Sequence, residues 1–219
     1  MKKLVFIVVS TFLLLMMPQA TAANTVIRIT SPAHQTFTGE FRNDDLAQSL
    51  TPSGDLGLKV FQPIAKNRTW VIDAALVDEV ILMSNEYALA TDAEPAGKEI
   101  AIAWLAQLKR VTAGNEVVAL AYGNPDIALA KRLAPSELKN YFVYGQDRLQ
   151  LALGRIVRSE PNVQWSVGKS GLSNPLRKSY SDNRKALTRL SRVVDAPELI
   201  QLRARLGQLL SPSLDKDSQ

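Results

Sequence analysis

Cysteine is absent from the 219 residues, and histidine occurs once, at His34. The first absence removes disulfides, thiolate nucleophiles and sulfur-bound metals. The second removes metal sites that need more than one imidazole. Neither sign of charge dominates: 26 Lys and Arg stand against 21 Asp and Glu, a net charge of +5, or +3 without Lys2 and Lys3. That balance is too mild for a nucleic-acid partner. The longest apolar stretch, residues 4–17, falls short of the roughly 20 residues that a membrane-spanning helix requires.

What is present starts with an export signal. Lys2 and Lys3 precede that apolar stretch, and Pro18, Gln19 and the small residues Ala20, Thr21, Ala22 and Ala23 follow it. These are the three regions of a secretory signal peptide. The Ala20-x-Ala22 pattern sets the cut before Ala23 or, one residue on, before Asn24. Residues 1–23 are therefore assigned to the signal and the chain to the extracytoplasmic side; an uncleaved leader would anchor it there. With 46% hydrophobic and 21% charged residues, the remainder is expected to fold around a core of its own.

The mature part alternates between two periodicities, as an α/β fold with parallel strands does. Strands are expected at 26–30, 69–73, 116–121 and 162–167. Helices are expected at 44–50, 56–64, 74–87, from the loop at 90–97 to about 111, from Pro125, with Asn124 as cap, to about 133, and at 136–158. Two amphipathic helices, 180–194 and 197–210, close the chain. The expected organisation is a β/α domain over 24–167, a helical segment over 168–210 and a disordered polar tail over 211–219. Four strands cannot close a barrel of seven or eight. The expected fold is therefore an incomplete β/α barrel or an open parallel sheet, followed by amphipathic helices.

Three segments carry a family resemblance: Thr69-Trp-Val-Ile-Asp-Ala-Ala-Leu-Val-Asp-Glu-Val80, Trp104-Leu-Ala-Gln-Leu108 and Glu116-Val-Val-Ala-Leu-Ala-Tyr-Gly-Asn-Pro-Asp126. Together they resemble the N-terminal extracytoplasmic domain of a family of large actinobacterial membrane-associated proteins of unknown function. The likeness is best over residues 25–130. That domain is similar to the β/α barrel of polysaccharide deacetylases and related glycoside hydrolases, and the resemblance implies a role in the cell envelope. Members of that family run to several hundred residues and end in a transmembrane helix. This chain stops at Gln219, as a truncated member would.

Asp73 and Asp126 each stand just past the C-terminal end of an expected strand, where parallel α/β folds place their ligands. With His34 and Tyr122 they form the expected ligand-binding pocket. The deacetylases that the barrel resembles hold a metal with one Asp and two His, so neither a metal nor another cofactor is expected here. A glycosidase needs only two carboxyl groups, about 5 Å apart for retention or 6.5–9.5 Å for inversion, which Asp73 and Asp126 could supply. Against this, Asp73 in front of an expected helix is a natural cap, Asp126 suits the first turn of its own helix, and a lone loop histidine is commonly solvated. No Gly-x-Ser-x-Gly elbow presents a serine, so a serine hydrolase is not expected.

Residues 177–205 carry Arg177, Lys178, Arg184, Lys185, Arg189, Arg192, Arg203 and Arg205 against three acids. Such a cluster suits an anionic surface, at about 1 kcal/mol for each basic residue near a charged membrane, although a solvated helix face has the same composition. The expectation is thus an exported envelope protein that binds a component such as glycan. A glycan hydrolase using Asp73 and Asp126, or a structural partner of an envelope membrane protein, are the alternatives.

Overall fold

The computed structural model describes residues 25–36, 38–62, 68–163, 165, 168–194 and 196–212. The expected signal at 1–23 lies outside the described residues, as does the tail from 213. Strand β1 (Thr25–Ile29) pairs in parallel with β2 (Arg68–Ile72), β2 with β3 (Glu116–Ala119), and β3 with β4 (Arg158–Ser159). The sheet order is β1-β2-β3-β4, so every strand lies beside its predecessor. The register sets Ile29 opposite Ile72 and Ile72 opposite Ala119. The first three strands therefore end level and release their loops along one edge.

Helices fill the connections: α1 (Asp45–Leu50), α2 (Asp55–Phe61), α3 (Ala74–Met83), α4 (Lys98–Thr112), α5 (Ile127–Leu133), α6 (Pro135–Leu153), α7 (Asn174–Leu190) and α8 (Pro197–Gln208). Because side chains alternate along a strand, Trp70, Ile72, Val117 and Ala119 enter the main core with Leu46, Leu56, Val77 and Trp104. Val71, Val118 and Leu120 form a smaller cluster with Trp165 packed on it. Burial on both faces explains why Trp70-Val-Ile72 in β2 and Val117-Val-Ala119 in β3 are apolar without alternation. The indole N–H of Trp104 donates to the Leu56 carbonyl at 3.2 Å and ties α4 to α2.

The C-terminal helices form a second core, in which Leu172, Tyr180, Leu206 and Leu210 join Ala121, Leu129, Leu138 and Tyr141. Glu137 of α6, almost wholly buried, pairs with the Arg203 guanidinium of α8 at 2.8 Å and accepts from Thr188 of α7 at 3.1 Å. Ala204 reaches the main core, so α8 belongs to the same packed body as the sheet. This helix also crosses the loop edge. Arg205 donates to the Thr36 carbonyl, the Asp126 amide donates to the Leu210 carbonyl, and Gly123 lies directly against Gln208.

Several boundaries differ from expectation for local reasons. Helix α3 stops at Met83 because Ser84 and Asn85 side chains both bond the Ile81 carbonyl. Helix α6 stops at Leu153, where Gly154 turns left-handed at φ 68°. The turn frees Val157 for the core and lets Arg158 and Ser159 pair with Val118 and Ala119, so the fourth strand of the sheet among the described residues is there, ahead of the expected 162–167. Of that expected strand, residues 164, 166 and 167 lie outside the described residues. Asn124 is not a cap: it sits at φ 45°, and Asp126 is the N-cap of α5. Helix α7 starts at Asn174, six residues early, with Pro175 in its first turn. Ser211, expected in the tail, is buried and bonds back to Gln208.

Candidate functional site

Strand β2 delivers Asp73 to the loop edge, where it is only 2% exposed. Its Oδ1 accepts from the Ala75 amide at 3.0 Å, capping α3, and from the Gly123 amide at 2.9 Å, clamping the loop after β3. Burial pushes its carboxyl up to about 7; the two amide bonds oppose that rise, and the nearby Glu79 and Asp78 charges reinforce it. One turn along α3, Asp78 takes a forked bond from Arg148 of α6 at 2.8–3.1 Å and one from the Tyr122 hydroxyl at 3.0 Å. The Asp78 bond holds the guanidinium more firmly in its charged form. Burial raises the Tyr122 hydroxyl well above its ordinary range, so it serves as a donor. The Tyr122 ring meets Tyr144 edge to face at 4.8 Å.

The next residue, Glu79, organises the loop after β1. Its carboxylate accepts from the backbone amides of His34 and Gln35 and, at 2.9 Å, from His34 Nδ1. On the other side of the ring, Nε2 lies 3.3 Å from Ser31 Oγ. The His34 side chain is 14% exposed, so it is a held residue and not the solvated one that a lone loop histidine suggests. His34, Asp73 and Tyr122 are thus each tied to α3 or its cap, but through separate partners: His34 through Glu79, Tyr122 through Asp78 with Arg148, and Asp73 through the amides of Ala75 and Gly123. Residue spacing alone gave little sign of the three side-chain partners: Asp78 and Glu79 look like ordinary positions on an amphipathic helix, and Arg148 is 70 residues from its carboxylate.

Asp126 is engaged elsewhere. Its Oδ1 caps α5 through the Leu129 amide at 2.9 Å, and its Oδ2 accepts from the Ser170 amide at 3.0 Å. It lines a cavity of about 280 Å³ with Arg132, Lys169, Ser170 and Arg177, in whose wall neither Asp73 nor Tyr122 takes part. The expected four-residue pocket is therefore divided: His34, Asp73 and Tyr122 attach to α3 or its cap through different partners, while Asp126 faces a basic hollow. Both acids accept two backbone amides, which satisfies the buried donors and leaves each carboxylate a structural clamp. Among the described residues, no group of three His, Asp or Glu is arranged to hold a metal ion.

A separate cavity of about 310 Å³ opens between α6 and α8, lined by residues that include Asn140, Tyr141, Tyr144, Asp147 and Arg203. It offers aromatic surface beside groups that bond hydroxyls, the usual composition of a small-ligand site. Of the basic cluster at 177–205, Arg177 bonds the Leu172 carbonyl, Arg203 pairs with Glu137, and Arg205 bonds Thr36. Lys178, Lys185, Arg189 and Arg192 remain exposed. Compared with protein-family models, with curated proteins and with solved structures, the chain matches none of them. No helix among the described residues is long and apolar enough to cross a membrane.

Proposed function

We propose that this chain is an exported cell-envelope protein that binds glycan in the cavity between α6 and α8. The observation that carries the reading is the lining of that cavity: the half-buried Tyr144 ring stands beside Asn140 and exposed Asp147. An aromatic face stacks on the C–H side of a sugar ring, and planar polar groups bond its hydroxyls. The charged stretch and apolar run at residues 2–17 support export, and the resemblance to the actinobacterial extracytoplasmic domain supports an envelope setting. The finer fold reading, an incomplete β/α barrel, is supported by four parallel strands in sequential order. Paired-carboxylate hydrolysis has no such support, because Asp73 and Asp126 face different surroundings and each clamps backbone amides.

The test is calorimetric titration of the mature chain with soluble cell-wall polysaccharide fragments. Saturable binding that weakens at least tenfold in Tyr144→Ala and in Asp147→Ala is the expected result. Binding absent, or unchanged in both variants, removes the reading.

A second reading, contact with an anionic membrane surface or envelope membrane protein, is favoured by the end of α7. Arg189 and Arg192 are exposed there beside Val193, which is 84% exposed, and Leu190 and Val194. An apolar rim with basic neighbours suits a charged interface. Sedimentation with phosphatidylglycerol vesicles should fall steeply between low and physiological salt; salt-independent or absent sedimentation rejects it.

A further inference from the structure

No Gly-x-Ser-x-Gly elbow presents a serine, and the residue pattern therefore argues against a serine hydrolase. The fold nevertheless brings Ser31, His34 and Glu79 into a hydrogen-bonded chain with the order and roles of an activated nucleophile. Ser31 follows β1 and is half-buried at the edge where parallel α/β sheets place their ligands. Pro32 fixes one backbone angle of the short turn between Ser31 and His34. A carboxylate can only accept, so the 2.9 Å contact from His34 Nδ1 to Glu79 requires the proton on Nδ1. In the neutral ring that leaves the Nε2 lone pair facing Ser31 Oγ at 3.3 Å, a separation ordinary for a nucleophile and base without substrate. Glu79 is locked in turn by the amides of His34 and Gln35, so the orienting group has no freedom to turn away.

We propose that this loop is a serine-type esterase site acting on small carboxylic esters, with Ser31 as nucleophile, His34 as general base and Glu79 as positioning residue. Ser31 Oγ adds to the ester carbonyl carbon while its proton passes to His34 Nε2, and the carbonyl π pair moves onto oxygen. Collapse re-forms the carbonyl, breaks the bond to the alkoxy group and sends the proton from His34 to the departing oxygen, releasing an alcohol. Water then adds to the acyl-serine, giving its proton to His34. The second collapse re-forms the carbonyl, breaks the bond to Ser31 Oγ and returns the proton from His34 to that oxygen, releasing a carboxylic acid. An ester suits a half-buried loop served by a single proton shuttle, because an alkoxy oxygen departs with less need of full protonation than an amide nitrogen does. None of these residues lines the α6 and α8 cavity, so the proposal stands independently of glycan binding.

The experiment treats the mature chain with a fluorophosphonate probe and, separately, with p-nitrophenyl acetate. The expected result is one phosphonyl adduct on Ser31 by peptide mass spectrometry, together with hydrolysis that falls by at least about 100-fold in Ser31→Ala. Circular dichroism should be unchanged in that variant. Because His34 is the chain's one histidine, ¹⁵N NMR of the imidazole reports its tautomer without ambiguity. Nδ1–H is expected in the native chain, and Glu79→Gln should shift the tautomer toward Nε2–H while hydrolysis falls. Labelling elsewhere, hydrolysis indifferent to Ser31→Ala, or an Nε2–H ring in the native chain overturns the proposal.

Discussion

The loop after β1 and the loops after β2 and β3 leave the same edge of one sheet, yet their polar side chains have opposite fates. Asp73 and Asp126 each accept two backbone amides and stitch their loops to neighbouring segments. His34 instead receives its support from Glu79 and turns its second nitrogen toward a half-buried hydroxyl. Position at the strand ends therefore does not by itself make a residue reactive. What separates the two cases is whether a group's hydrogen-bonding capacity is filled by backbone or left facing another side chain.

The comparison breaks most visibly at Asp73. Asp73→Ala removes a helix cap and leaves two amides buried without partners, a loss of about 3 kcal/mol. Urea unfolding should show it, and a loss below about 1 kcal/mol would mean that the β2 loop does not depend on this clamp. Asp73 also sets a pH signature. Its folded carboxyl is raised to about 7 by burial, so its stabilising contribution is fully present below the unfolded value near 4 and is lost as pH rises through about 7. Relative to Asp73→Asn, the native chain should gain stability as pH falls from 7 toward 4. A flat difference across that window would contradict the assignment.

Gly123→Ala comes next. The residue holds φ 78°, and an added Cβ would lie 2.4 Å from Gln208. Strain of this kind costs about 2 kcal/mol and should loosen α8 from the loop edge, measurable as faster amide exchange at Gly207 and Leu210. Asp126→Ala should cost somewhat less, about 1.5 kcal/mol, because its second bond tethers only the loop at Ser170. Ser31→Ala sits at the bottom of the series. Its expected stability change is under about 0.5 kcal/mol, since it deletes one long, half-exposed contact. A larger loss would mean that Ser31 is a clamp like the other two, and the contrast between the loops would disappear.

The parts of this fold legible in the residue pattern were those governed by short-range rules. Alternating strand and helix periodicities gave the α/β class, β1 to β3 and the helix from Lys98 to Thr112 within a residue or two. The cap at Asp73 followed from an acid standing before a helical run. The fourth strand was misplaced because Gly154 could equally be a weak point inside a helix or its end. The start of α7 was missed because the segment from Gly168 to Pro175 looked like an uninterrupted loop. At the site, the pairing of His34 with Glu79 spans 45 residues and leaves no periodic trace.

The sequence by itself determined the disulfide-free, single-histidine chemistry, the parallel α/β alternation and the acids at the ends of β2 and of the loop after β3. Those follow from composition and from backbone geometry repeated every two or three to four residues. Only the tertiary structure decided that the two acids clamp different segments, that α8 lies across the strand ends, and that Glu79 orients the imidazole. Each of those depends on contacts between residues far apart in the chain, whose distances are set by packing and not by spacing.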